Sequence, residues 1–455
     1  MNLLDPLFRS QVVEKVFSNR ATLQGMLDFE AALARAEARA GFIPATAAQA
    51  IEAKCRAELY DMTAIARAAA NAGNLAIPVV KQLTILVAQK DKNSARHVHW
   101  GATSQDAIDT GRVLQLRQAL ALISTEMDNL AVALGAMAHK NRTTLVAART
   151  WMQQALPTTF GFKVAGWLDA LDRHRARLAD TQERCLVLQF GGAVGTMAAL
   201  GTRGLDVAKN LSKDLQLPLP EIPWHSHRDR IAEIAATLGL CVGTLGKIAR
   251  DISLHTQTEI AELFEPSSDG RGGSSTMPQK RNPVTSAIVL SAATRVPQLV
   301  ASILVAMLQE EERGLGGWHA EWETLPDIVR LTAGALHHLT TAISDLEIDA
   351  ARMRQNLDLT HGLIFAEAVA MALAEKMPRP EAHELVQLAC KRARAQGTEL
   401  RSILAQDAIV KASLSVSELD RLFAPGNYLG VADQFIDRVL AASESGKEKK
   451  KSRPK

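Results

Sequence analysis

The stretch best equipped for chemistry is Glu265-Pro-Ser-Ser-Asp-Gly-Arg-Gly-Gly-Ser-Ser-Thr-Met-Pro-Gln-Lys-Arg-Asn-Pro283. Gly270, Gly272 and Gly273 loosen its backbone. Pro278 and Pro283 restrict it, and Pro283 suits the first turn of a following helix. Ser274, Ser275 and Thr276 bring hydroxyls, and Lys280 and Arg281 bring positive charge. Such a loop can close over an anionic substrate, exclude water and deliver a reactive group. Composition alone fits a plain surface connection better. The loop is not a phosphate loop, because Lys280 does not follow a glycine and no strand leads in.

Other reactive types cluster elsewhere. Thr103-Ser-Gln-Asp106 reads as a capping box opening a helix, and a helix start also attracts carboxylates. Arg149, Arg228, Arg230, Lys280 and Arg313 could each grip a carboxylate or form a structural ion pair. His225, His227 and His319 could each be a core histidine or a proton donor. The His225–His227 pair is the first place to look for an acid. Cys55, Cys185, Cys241 and Cys390 have neither metal-ligand spacing nor the density of a disulfide framework, so reduced thiols in the cytoplasm are expected.

Long helices must position these groups. Aromatics make up only 4% of the 455 residues, and the abundant Ala and Leu are helix formers, so the composition leans all-α. From Arg112 to Lys140 the apolar positions Val113, Leu116, Leu120, Ile123, Met127, Leu130, Leu134 and Met137 alternate spacings of three and four. That is a bundle seam, which needs partner helices. The stretches 157–187, 230–262, 283–311 and 324–344 are candidates. The pattern divides into a helical domain at 1–105, a long-helix bundle at 106–345 carrying the 265–283 loop, and a helical domain at 346–445. A basic tail at 446–455, expected to be disordered, carries +5 of formal charge. The body is therefore −2, which argues against a nucleic-acid-binding face. Neither a signal peptide nor a membrane span is expected.

Gly273-Ser-Ser-Thr-Met-Pro-Gln-Lys-Arg-Asn282 resembles, in register, the G-S-S-x-M-P-x-K-x-N signature of the fumarase/aspartase superfamily. His99-Trp-Gly-Ala-Thr-Ser-Gln-Asp106 and Arg149-Thr-Trp-Met-Gln-Gln-Ala-Leu-Pro-Thr-Thr-Phe-Gly161 resemble two more of its blocks. The resemblance spans essentially the whole chain. It implies an all-α fold whose central bundle forms a twenty-helix core in a homotetramer. Each active site would then draw on three subunits. These enzymes make or break a bond β to a carboxylate through a dianion-like intermediate that needs donors and cations around it. By resemblance Ser274 is the base in the elimination direction, activated by Lys280 and nearby backbone N–H groups. His99, Thr103, Ser104, Arg149, Trp151, Gln153, Arg228, Ser275, Met277, Asn282, Arg313 and His319 are the implied substrate contacts.

Trp151 departs from the pattern, because relatives that expel hydroxide or an amine have a histidine there. A carboxylate leaves as a stable anion without an acid. This points to the branch that adds a carboxylate across a double bond to make a lactone. Leu23–Glu37, Gly73–Lys81, Leu188–Gly195, Pro223–Arg230 and Gly317–Pro326 resemble that branch as well. The resemblance then implies a tricarboxylate substrate, no cofactor or metal, and a place in the protocatechuate branch of the β-ketoadipate pathway. The alternative is an adenylosuccinate-lyase-like β-elimination enzyme.

Overall fold

The computed structural model describes residues 3–266 and 272–452. Helices dominate, and five are long: Ser104–Lys140, Phe160–Cys185, Asp229–His255, Val284–Ala306 and Gly317–Ser344. All five predicted long runs are therefore present, with shifted ends. The third stops at His255 because the chain turns at Ala261, where φ is +49°. Leu263–Phe264 then pairs with Glu347–Ile348 as a two-stranded ribbon. The last begins at Gly317 and carries Pro326 inside it. Proline has no N–H for the carbonyl four residues back. The guanidinium of Arg112 donates to that carbonyl, Trp322 O, at 3.3 Å.

Sequence patterning had marked no lasting strands, yet Leu145–Thr150 and Gln153–Thr159 form an antiparallel hairpin. Its register shifts at Ala147/Arg149, which breaks the alternation that would have flagged it. The helix Ala432–Ser452 takes in the first part of the basic tail. Arg453–Lys455 and the loop residues 267–271, Gly270 among them, lie outside the described residues.

Contacts group the chain into two compact units. One comprises Met1–Asp128, His174–Gly246 and Ile288–His338; the other comprises Asn129–Arg173, Lys247–Ala287 and Leu339–Lys455. The 37-residue helix Ser104–Lys140 spans about 55 Å, longer than one small core. Its predicted seam is buried throughout, with Val113, Leu116, Leu120, Ile123 and Met127 in the first unit and Leu130, Leu134 and Met137 in the second. In the second unit Phe160 and Trp167 add an edge-on aromatic pair.

In the first unit the helix Asn19–Arg39 lies against the 104–140 helix at a pair of glycines. A Cβ on Gly111 would lie 2.9 Å from the Gly25 carbonyl carbon. Backbones this close leave no room for a side chain. Gly111→Ala is expected to lower the unfolding free energy by ~1–3 kcal/mol in denaturant titration. Gly166→Ala, on a helix with open space at that position, is expected to be neutral or slightly stabilising. A Gly111→Ala protein as stable as the native one would contradict this packing.

Candidate functional site

In the first unit the expected site residues gather around a residue that was read only as a helix cap. Asp106 is fully buried. Its carboxylate accepts from the backbone N–H groups of Thr103 at 2.9 Å, Gly191 at 3.1 Å and Gly192 at 2.9 Å. It also contacts His225 Nε2 at 2.7 Å. The Thr103 bond is the acidic leg of the predicted capping box and opens the helix at Ser104. His225, the first candidate for an acid, is therefore buried and engaged with Asp106, while His227 is exposed.

His99 adopts a left-handed backbone, φ +59°, and its Nδ1 lies 2.6 Å from Glu30 Oε1. Burial works to lower the imidazole pKa, but the buried Glu30 carboxylate outweighs it, and the net shift is upward. The dyad thus favours the cationic form of His99.

Arg228, expected to meet substrate, is occupied inside the protein. It is 2% exposed. It pairs with Asp109 at 2.7 Å and with Glu321 at 2.9 Å, and it stacks on Trp224. Burial opposes its charge, but the two carboxylates more than compensate and push its pKa further up. Trp318 Nε1 donates to Asp109 at 2.9 Å. Arg313 differs, because it is exposed and, among the described residues, donates to neutral oxygens, Gln105 Oε1 and Ala193 O, each at 3.0 Å. His319 is exposed, packs beside Trp322 and contacts Gly73 O at 3.2 Å.

The second unit holds the serine loop. Ser274 Oγ accepts from the N–H groups of Thr276 at 3.3 Å and Met277 at 3.1 Å. Two N–H groups on one hydroxyl oxygen stabilise negative charge there, which is the activation a serine base requires. Asn282 ties the loop base together, its N–H donating to Gly272 O at 2.8 Å and its Nδ2 to Gly273 O at 3.2 Å. Glu265 caps the next helix through the N–H groups of Thr285 and Ser286. Arg281 is held by Glu347 at 2.7 Å. Ser275, Met277 and Lys280 are exposed.

The hairpin turn of this unit is Trp151-Met152, with φ +51° and +65°. A two-residue turn with both φ positive normally selects Asn-Gly, because a side chain strains this conformation by about 1–2 kcal/mol per residue. Trp151 is nonetheless 98% exposed. Gln153, beside it, is exposed too. Arg149 is engaged at the hairpin's base, in a two-bond pair with Glu262 at 2.8 and 3.0 Å. Glu262 is fully buried, and burial alone would raise its pKa. His255, Arg149 and Asn356 overcome that and hold the carboxyl at about 2.

Comparison with known proteins gives this geometry its context. A family model described as "Lyase" matches residues 9–298, and one described as "Adenylosuccinate lyase C-terminus" matches residues 362–439. The chain belongs to this lyase family, in the fumarase/aspartase superfamily. It is 56% identical over 439 residues, 96% of each protein, to the 3-carboxy-cis,cis-muconate cycloisomerase of Pseudomonas aeruginosa. It is 52% identical to the protein of that name from Bradyrhizobium diazoefficiens, covering 97% of this chain and 98% of the relative. Its structure superimposes on the 3-carboxy-cis,cis-muconate lactonizing enzyme of Pseudomonas putida with a TM-score of 0.93 and 52% identity, covering 98% and 99% of the two chains.

The His99–Glu30 dyad makes a pH-dependent prediction. A raised histidine pKa stabilises the fold fully below the unfolded value, about 6.5. That contribution disappears as pH rises through the folded value. The stability advantage of the native chain over Glu30→Gln is therefore expected to be largest at acid pH and to shrink as pH rises. An advantage that grows with pH would rule out the charged pair.

Proposed function

We propose that this chain is a cycloisomerase that converts 3-carboxy-cis,cis-muconate to carboxymuconolactone in the protocatechuate branch of the β-ketoadipate pathway. The observation that carries the mechanism is the Ser274 hydroxyl with two backbone N–H groups directed at its oxygen. One substrate carboxylate oxygen bonds to the far carbon of a double bond. The π electrons move to the carbon next to a second carboxylate, which spreads the charge as an aci-carboxylate. The Ser274 hydroxyl donates its proton to that carbon. The alkoxide left behind is steadied by the Thr276 and Met277 N–H groups and by the charge of Lys280, and solvent restores its proton. Atoms and electrons balance without an oxidant or reductant. A trianion becomes a dianionic lactone, so each turnover takes up one proton.

Trp151 fits this chemistry. In the reverse direction the leaving group is a carboxylate, so no acid is needed where related lyases carry a histidine. With Arg149 and Arg228 paired with buried carboxylates, Arg230, Arg313, Lys280 and His99, whose pKa is shifted upward, are the candidates among the described residues for meeting a tricarboxylate. Thr103, Ser104, Gln153, Asn282 and His319 would complete the contacts.

We further infer a cytoplasmic homotetramer with each site drawn from three subunits. Among the described residues three helices are long and apolar enough to cross a membrane, yet the apolar window of Val284–Ala306 is only 28% buried. Leu304 and Val305 near its end are 50% and 69% exposed. Covering such a face with further copies of the chain removes it from water. The exposed, strained Trp151 tip calls for a covering partner as well. An adenylosuccinate-lyase-like elimination is the weaker reading, because it needs the acid that Trp151 cannot supply.

Ser274→Ala and Thr103→Val are each expected to lose at least ~10²-fold in kcat while remaining folded. Unfolding and refolding the two together should restore roughly a quarter of native activity, because a site drawing these two groups from different chains finds both intact one time in four. No recovery on mixing would reject shared sites, and a nearly native Ser274→Ala rate would reject Ser274 as the proton carrier. Arg313→Met is expected to raise KM about tenfold or more, read from steady-state kinetics. An unchanged KM would remove Arg313 from the substrate site.

A further inference from the structure

A cavity of the first unit lies apart from the residues assigned to the substrate. It measures about 480 Å³, and none of the predicted substrate contacts lines it. Phe17, Met26, Ile108, Trp322 and Pro326 supply apolar wall, and Arg112 and Arg330 bring two cations. Arg330 is satisfied by the protein itself. It pairs with Glu14 at 3.1 Å and Asp327 at 3.4 Å, and it donates to Phe17 O at 3.0 Å. Arg112 is placed differently. It donates to the backbone carbonyl of Trp322 and lies over the Phe17 ring, 5.7 Å from the centroid. Among the described residues no carboxylate pairs with it. The two that act on it through space, Asp109 and Glu321, are both engaged by Arg228. Burial, and then the neighbouring Arg330, push its pKa down to about 10. Its side chain still keeps some accessible surface.

We propose that this cavity is a second ligand site, taking a small aromatic carboxylate. The carboxylate accepts from the Arg112 fork, whose planar donors match its two oxygens. The rings of Phe17 and Trp322 suit a flat apolar body beside it. An anion there offsets the cost of holding Arg112 partly out of water without a counter-charge. The site stands clear of the proposed reaction. Arg112 lies two helical turns beyond Ser104 on the same helix, a rise of about 12 Å.

The test is isothermal titration of the full-length protein with benzoate. Benzamide, which has the shape without the charge, and acetate, which has the charge without the ring, are the controls. Benzoate should saturate one site per chain, at least about tenfold more tightly than either control. Arg112→Gln, which keeps a donor for Trp322 O, should weaken benzoate about tenfold or more. Asn19→Trp, which adds bulk at an exposed residue of the cavity lining, should weaken it likewise. Arg313→Met, in the substrate site, should leave it unchanged. Melting followed by circular dichroism checks that each variant is folded. Four results would overturn the proposal. The first is no saturable benzoate binding. The second is benzamide or acetate binding as tightly as benzoate. The third is benzoate binding that survives Asn19→Trp or a folded Arg112→Gln protein. The fourth is binding lost in Arg313→Met, which would put benzoate in the substrate site.

Discussion

Taking a carboxylate out of water costs several kcal/mol unless donors surround it. Both units of this chain satisfy that constraint with residues from distant segments. Asp106 collects three backbone N–H groups and His225, joining a helix start to a glycine-rich segment 85 residues away. Glu262 collects Arg149, His255 and Asn356, joining the hairpin, a helix end and a C-terminal helix. Each carboxylate fixes the backbone beside a candidate reactive segment: Thr103 and Ser104 at one, the Trp151 hairpin at the other. Losing a donor from either hub would leave a buried charge uncompensated, so these positions tolerate little change.

The same bookkeeping of charge separates structural cations from chemical ones. Arg228 and Arg149 are each paired with buried carboxylates of the protein itself. Among the described residues Arg313 meets neutral oxygens rather than a carboxylate. A tricarboxylate needs cations of the second kind. The serine loop follows a related logic. Glu265 and Asn282 hold its two ends, and between them Ser274 Oγ receives two backbone N–H groups. A hydroxyl so placed can give and regain a proton without a neighbouring histidine.

Much of this was legible in the sequence. The seam from Val113 to Met137 follows from side-chain spacing, because burial on one face of a helix needs only local periodicity. The Ser274 loop was legible from its motif. What spacing cannot reveal is which carboxylate meets which cation. Arg149, Arg228 and Arg313 look alike beside their motifs, and their partners lie far away in the chain. The second duty of Asp106 was hidden for the same reason: the capping box is local, but Gly191, Gly192 and His225 are not. The hairpin escaped notice because its turn, Trp151-Met152, lacks the glycine or asparagine that normally announces positive φ.

The most direct measurement of the central claim follows the ultraviolet absorbance of 3-carboxy-cis,cis-muconate after adding purified protein without metal or cofactor, with the product identified by NMR. Rapid loss of the diene absorbance, with carboxymuconolactone as the product, is the result this account predicts. An unchanged spectrum from a well-folded oligomer would contradict it and return the Trp151 substitution to an open question of substrate.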